Sequence, residues 1–393
     1  MTLDIHKERG IPLDRQALSL RELCGPPHSK LDDDAFTRAR ILLATSLEAE
    51  SVRLQHALAR SDRALQPILA RVRRVEAHQQ TVLAWLLPPD LSVLETTIAR
   101  EQTAAELTAA AAHREPNPYL AQVYRFAMLE EMDHLYRFSA LYDRLEGRDA
   151  NTITQCATDL APGRPTAHQH RAPVDDLRDG YDRSDAALVS RLLARVHYAM
   201  EAQARETYLT VGPTFADPVA RMLYAEIASV EEQHVTQAGS LLDAGESPLE
   251  RWMLHEAAEV WTYASCLAGE PNPRVKALWE RMLQWELGQL HAVMDLYRQV
   301  ERRDPAQVLP AHLPEPLDLR SHRAFIEGVL TTERDLTALG SAIVPRAQAP
   351  DDGPSATYRR HFGRDGFASE AIAAGWRWNA GTELLSHDSH ARA

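Results

Sequence analysis

From Asp34 to about Arg302 apolar residues recur at three- and four-residue spacing, with Ala, Glu and Arg filling many of the positions between. That spacing lines apolar side chains along one face of an α-helix, and the residue types are good helix formers. Five proline-bearing breaks interrupt it: "LPPD" at 87–90, "EPNP" at 115–118, "ADP" at 216–218, "ESP" at 246–248 and a second "EPNP" at 270–273. In four of them Ser, Asn or Asp stands directly before Pro, the order expected of an N-cap followed by proline at the first helical position. Ser247 and Glu250 also fit a capping box. The pattern predicts an all-α chain of eight helices over 34–60, 64–87, 91–113, 118–147, 184–210, 218–243, 248–268 and 273–302, with a ninth at 320–338. Residues 1–33 read as an arm. Residues 304–393 read as a C-terminal extension whose tail, with Trp376 and Trp378, has no legible element.

The helices repeat. "EPNP" recurs at an offset of 155, and "LYDRLEGRD" (141–149) returns as "LYRQVERRD" (296–304) at the same offset. Glu101 then matches Glu256, Glu131 matches Glu286, and Glu76 matches Glu231. A period of this kind implies one supersecondary unit used more than once, here four helical hairpins with a glutamate on each arm.

Composition narrows the partners. The chain of 393 residues carries 43 basic and 56 acidic side chains, a net charge of −13. That balance disfavours nucleic acid and anionic lipid, which both call for a basic face. No apolar run approaches the roughly 18 residues of a membrane span, and the first residues lack the apolar segment of a secretory signal. Cys24, Cys156 and Cys266 are odd in number and scattered, so neither a disulfide framework nor a Cys-based metal site is expected, and a reducing cytoplasm is.

The candidate chemistry lies in two matching stretches, "YRFAMLEEMDHLY" (124–136) and "YAEIASVEEQHVT" (224–236). Each carries Glu-x-x-His: Glu131 with His134, and Glu231 with His234. One such motif is common by chance, so the partner on the preceding helix matters more. Glu101 lies 30 residues before Glu131, and Glu201 lies 30 residues before Glu231. Each hairpin turn falls near the midpoint, so the two glutamates of a pair stand at equal height. Glu106 and Glu206 are five residues nearer the turn, about 7.5 Å too low at about 1.5 Å per residue, and are set aside. Glu and His at i and i+3 share a helix face. Two packed hairpins would therefore aim four carboxylates and two imidazoles at one point, a donor set suited to iron or manganese.

These residues resemble the ferritin-like di-iron carboxylate superfamily, in which two helices each give one Glu and two others each give Glu-x-x-His. Glu101, Glu131, His134, Glu201, Glu231 and His234 match that pattern. The resemblance implies a four-helix bundle over 91–243 with a long crossover at 148–183. A flanking hairpin would lie at 34–90, and a second, repeating 91–147, at 244–303. It implies two Fe ions, with Mn or a mixed Mn/Fe pair as alternatives, O2 as co-substrate, a small organic substrate and an external electron donor. It also leaves room for a homodimer. The implied activity is an O2-dependent oxidase or oxygenase. The alternatives are a ferroxidase or storage protein, a peroxide-disproportionating manganese protein, and a metal-free helical scaffold. Three scattered cysteines cannot build the four-Cys iron centre of rubrerythrins. The radical tyrosine of the ribonucleotide reductase small subunit follows its ligand His by four residues, and here that position is Phe138. Nothing in the chain singles out the acyl substrate of acyl-carrier-protein desaturases.

Around this set, Tyr124, Tyr224 and Tyr208 lie two turns from ligand glutamates and are candidates for hydrogen bonding to a carboxylate or for redox chemistry. The flanking hairpins would gather Glu48, Glu76, Glu256 and Glu286 with no histidine, a degenerate counterpart expected to be structural. A rival grouping pairs helices one to four and five to eight, giving each bundle one His and one Gln (Gln79 or Gln289). His197 and His255 are read as core or surface residues, and Arg137, Arg205 and Arg221 as solvated. The "HDSH" tail at 387–390 is given no role.

Overall fold

The computed structural model describes residues 3–161 and 170–374. Eight long helices carry it: α1 (Ala35–Ser61), α2 (Gln66–Ala84), α3 (Val93–Arg114), α4 (Pro118–Glu146), α5 (Leu188–Val211), α6 (Pro218–Ser240), α7 (Pro248–Gly269) and α8 (Pro273–Val300). The breaks act as the cap chemistry dictates. Asn117, Asp217, Ser247 and Asn272 each accept a hydrogen bond from a backbone N–H of the first turn, with Pro at the start of the helix. Ser92 and Ser247 form capping boxes with Glu95 and Glu250. At the end of α4, Gly147 takes a left-handed φ of 63°, which glycine adopts without steric penalty. No helix among the described residues is long and apolar enough to cross a membrane.

The chain divides into two units. Unit 1 comprises residues 1–90, 181–200 and 242–319, and unit 2 comprises 91–180, 201–241 and 320–393. In unit 1 the hairpins α1–α2 and α7–α8 pack together, so the two flanking hairpins belong to one body. The N-terminal segment is built into that body. Ile5 is fully buried, and the Ile11 N–H donates to the Gln284 carbonyl at 2.7 Å. A Cβ at Gly288 would lie 1.9 Å from the Ile11 carbonyl oxygen, so only glycine lets this segment lie against α8.

Unit 2 gathers α3, α4, the part of α5 from Glu201 onward, and α6, together with the crossover up to Gly180 and the extension from Arg320. The rival grouping does not occur, since Gln79 on α2 bonds to Glu286 on α8. The expected helix at 320–338 needs correction. A helix α9 (Arg323–Thr332) ends early, and an antiparallel hairpin follows, β1 (Leu336–Leu339) with β2 (Ala342–Pro345). Gly340, at φ 56°, makes the two-residue Gly-Ser turn, and the β-branched Ile343 and Val344 suit the returning strand. Helices α10 (Pro354–Phe362) and α11 (Ala368–Ala373) complete the described extension. Trp376, Trp378 and the 387–390 tail lie outside the described residues, as do residues 162–169 of the crossover.

Candidate metal centre

Unit 2 brings six sequence-predicted side chains to one buried point. Glu101 on α3, Glu131 and His134 on α4, Glu201 on α5, and Glu231 and His234 on α6 are each at most 1% exposed. The two Glu-x-x-His motifs interlock. His134 Nδ1 lies 3.1 Å from Glu231 Oε1, and His234 Nδ1 lies 2.9 Å from Glu131 Oε1. Glu101 and Glu201 complete the ring at 3.6 Å from His134 and 3.4 Å from His234. The imidazoles stack with centroids 5.3 Å apart and planes 24° from parallel. Glu131, His134, Glu231 and His234 can each offer a ligand atom within 4.8 Å of the others.

These contacts sit at ion-pair distance but off the line of a hydrogen bond. Neither oxygen of Glu231 and neither nitrogen of His134 or His234 has a hydrogen-bond partner among the described residues. Buried polar atoms are normally paired, so a convergent set of acceptors and imidazoles left this way has the character of a ligand set for a cation. The electrostatics agree. Burial opposes charge on both imidazoles, yet the carboxylates around them raise His134 and His234 well above the ordinary histidine range. Glu231 is lowered, because the two imidazoles overcome the burial that would raise it. Burial raises Glu101 to about 7 against the pull of His134, and burial with the Glu131 charge raises Glu201 well above its ordinary value. Four carboxylates at one buried point share too little positive charge among themselves.

The surroundings position this set. Glu130, adjacent to Glu131, is fully buried, lies 3.2 Å from His234 Nε2 and pairs with Arg171 from the crossover. Although burial would raise it, Arg171 and His234 hold Glu130 down to about 2. Arg171 also donates from Nε to Asp176 at 3.0 Å. The tandem "EE" of "LEEMDH" was the only sequence sign of Glu130. Burial lowers Arg100, which is beside Glu101 in sequence, and the Glu101 and Glu231 carboxylates oppose that shift.

The three tyrosines separate. Tyr208 donates its hydroxyl to Glu101 Oε1. The Tyr224 hydroxyl pairs with Thr97 at 2.7 Å, and its ring packs on Phe138 at 4.8 Å. Tyr124 is fully buried on α4. Glu106 accepts from Thr158 at 2.5 Å and from the His322 N–H at 2.7 Å, fastening the crossover and the extension. Glu206 is exposed and pairs with Arg205. Arg137, expected in solvent, is buried against Asp133 at 3.1 Å and the Ser369 carbonyl at 3.0 Å. Arg221 donates to the Pro213 carbonyl at 2.8 Å, and His197 is buried.

Unit 1 holds a second cluster. Glu48, Glu76, Glu256 and Glu286 are fully buried, and Glu259, which the sequence reading passed over, joins them. The sign available for it was Glu256-x-x-Glu259, the same i, i+3 geometry as Glu-x-x-His. Burial and mutual repulsion raise Glu48, Glu256, Glu259 and Glu286 well above the carboxylate range. His255, 3.6 Å from Glu259, does not neutralise them, because burial and Arg195 push it down to about 3. Comparison of the chain with protein-family models, with curated proteins and with solved structures finds no match.

Proposed function

We propose that unit 2 is a ferritin-like four-helix bundle, and that Glu101, Glu131, His134, Glu201, Glu231 and His234 hold two metal ions. Iron is the first choice, with manganese or a mixed pair as alternatives. The observation that carries this is the interlocked pair of Glu-x-x-His motifs, each histidine facing the other motif's glutamate. Mixed oxygen and nitrogen donors suit first-row ions of this kind. Two divalent ions balance four carboxylates with neutral imidazoles. When bound, such a pair supplies the reduction of O2 at the expense of an external electron donor, with oxidation of a small organic substrate.

The chain's own residues would prepare that chemistry. Glu130 lies 3.2 Å from Nε2 of His234, and Nδ1 is the nitrogen that faces Glu131 and Glu201. Arg171 keeps Glu130 ionised. Tyr208 holds its proton against Glu101 Oε1, offering a hydrogen bond that follows the carboxylate if it changes its mode of binding. Burial of every ligand excludes bulk water, which strengthens each of these interactions.

The test is anaerobic loading with Fe(II), then exposure to O2 with a reductant present. The oxidase reading expects about two irons per chain and reductant-dependent O2 consumption. No stoichiometric iron or manganese, or a loaded protein inert to O2 and peroxide, overturns it. A hollow shell in small-angle scattering would point to storage instead, and O2 release from peroxide without reductant to a disproportionating enzyme.

A further inference from the structure

The carboxylate cluster of unit 1 has no part in that reading. Glu76, Glu256, Glu259 and Glu286 each place an oxygen within 4.8 Å of the others' oxygens. Oxygens around one shared ion stand up to about 4.8 Å apart when each lies about 2.4 Å from it, so this spacing is compatible with a single calcium-sized ion. Neutral groups do the donating around them. Gln55 and Ser51 donate to Glu76 at 3.0 and 3.1 Å, and Trp252 donates to Glu256 at 2.5 Å. Gln79 donates to Glu286, and Gln289 donates to Gln79 at 2.9 Å.

These donors leave a remainder that points inward. One oxygen each of Glu76, Glu256 and Glu286 has no hydrogen-bond partner among the described residues, and Glu259 has none for either oxygen. Glu259 is the independent observation. It is fully buried, directed at the other three, and has no counterpart in the repeat, where Ala104 stands 155 residues earlier. A fold keeping a worn-out copy of a metal site would lose buried carboxylates, since each is costly to take out of water. This one has an additional carboxylate.

We propose that unit 1 binds a hard divalent cation, of the Ca2+ or Mn2+ class, through Glu76, Glu256, Glu259 and Glu286. With Gln79 and Gln289 at the repeat positions of His234 and His134, the donors are all oxygen, which suits hard ions over zinc or copper. The site does not depend on the reading of unit 2.

The probe is Mn2+ alone, titrated into chelator-stripped full-length protein, with bound ion counted by equilibrium dialysis. Wild type is expected to bind Mn2+ in unit 1 and to yield that ion to Ca2+. Glu259→Gln is expected to lose about one equivalent or to bind it at least about tenfold more weakly. His134→Gln is expected to leave this equivalent in place. Identical uptake by wild type and Glu259→Gln, with no ion displaced by Ca2+, overturns the proposal. So does a Glu259→Gln protein that melts higher than wild type with and without Mn2+, because the cluster would then be a store of protons. If Glu259→Gln does not fold, an anomalous-scattering map of Mn2+-soaked wild-type crystals decides. A peak among the four carboxylates supports the site, and its absence there overturns it, whatever unit 2 contains.

Discussion

Ser92 begins α3 and Ser247 begins α7, each in a capping box, and the hydroxyl of each also bonds a glutamate at the far end of its hairpin, Glu146 or Glu301. Tyr142 donates to Glu95 at 3.1 Å and Tyr297 to Glu250 at 3.2 Å. Arg148 and Arg303 close the same corner. All these pairs are 155 residues apart. At mid-helix Glu101 and Glu131 are still matched by Glu256 and Glu286, but His134 is replaced by Gln289 and Ala104 by Glu259. Cap and corner bonds serve the hairpin and survive any change in its cargo, whereas the central layer is free to take on different chemistry. One scaffold thus presents an imidazole–carboxylate set in unit 2 and an amide–carboxylate set in unit 1.

The sharpest way to break this comparison is to remove both imidazoles. His134→Ala with His234→Ala should lower iron affinity in unit 2 by more than about 100-fold, beyond the range for outer groups. Metal analysis should show unit 1 unaffected. Glu130→Gln leaves every proposed ligand in place and should cost about 10- to 100-fold in iron affinity by slackening His234, measured by competition with a chelator. Gln79→His with Gln289→His should move unit 1 toward unit 2, raising its preference for Fe(II) over Ca2+ by about tenfold or more.

A pH titration probes both units together. Glu101 sits at about 7 in the folded protein, above its ordinary value. Between that ordinary value and about 7 the folded chain holds a proton that the unfolded chain has released. Stability of the chelator-treated protein should therefore fall as pH rises through this window, by about 1.4 kcal/mol per unit for such a group. His134 and His234, also raised, act in the same direction, their contribution being complete below the unfolded value and lost above the folded one. Metal should abolish the fall, because ions replace the protons and release them to solvent. Denaturant melts across pH, with and without metal, check the sign. The smallest effect is expected of Tyr208→Phe and Tyr263→Phe, which remove one hydrogen bond each, to Glu101 and Glu48. About 1 kcal/mol apiece is expected from thermal melts.

Much of this molecule was legible in its linear order. Period and proline punctuation located the eight long helices because caps and apolar stripes are local features. The offset of 30 residues placed Glu101 level with Glu131, since a hairpin's geometry follows from its turn. The β1–β2 hairpin was missed because Leu336–Pro345 is too short for its period to be told from a helix end. Arg137 was misplaced because its cover, the Ser369 segment, lies 232 residues away.

The chain alone therefore determined which residues share a helix face and which faces are acidic, because those follow from 3.6 residues per turn. Tertiary packing decided the rest: that α1–α2 joins α7–α8, that Arg171 returns from the crossover to Glu130, and that Glu259 turns toward Glu76 and Glu286. These contacts span dozens to hundreds of residues, and no local propensity encodes them. They are selected only when buried charge must find a partner in the folded interior.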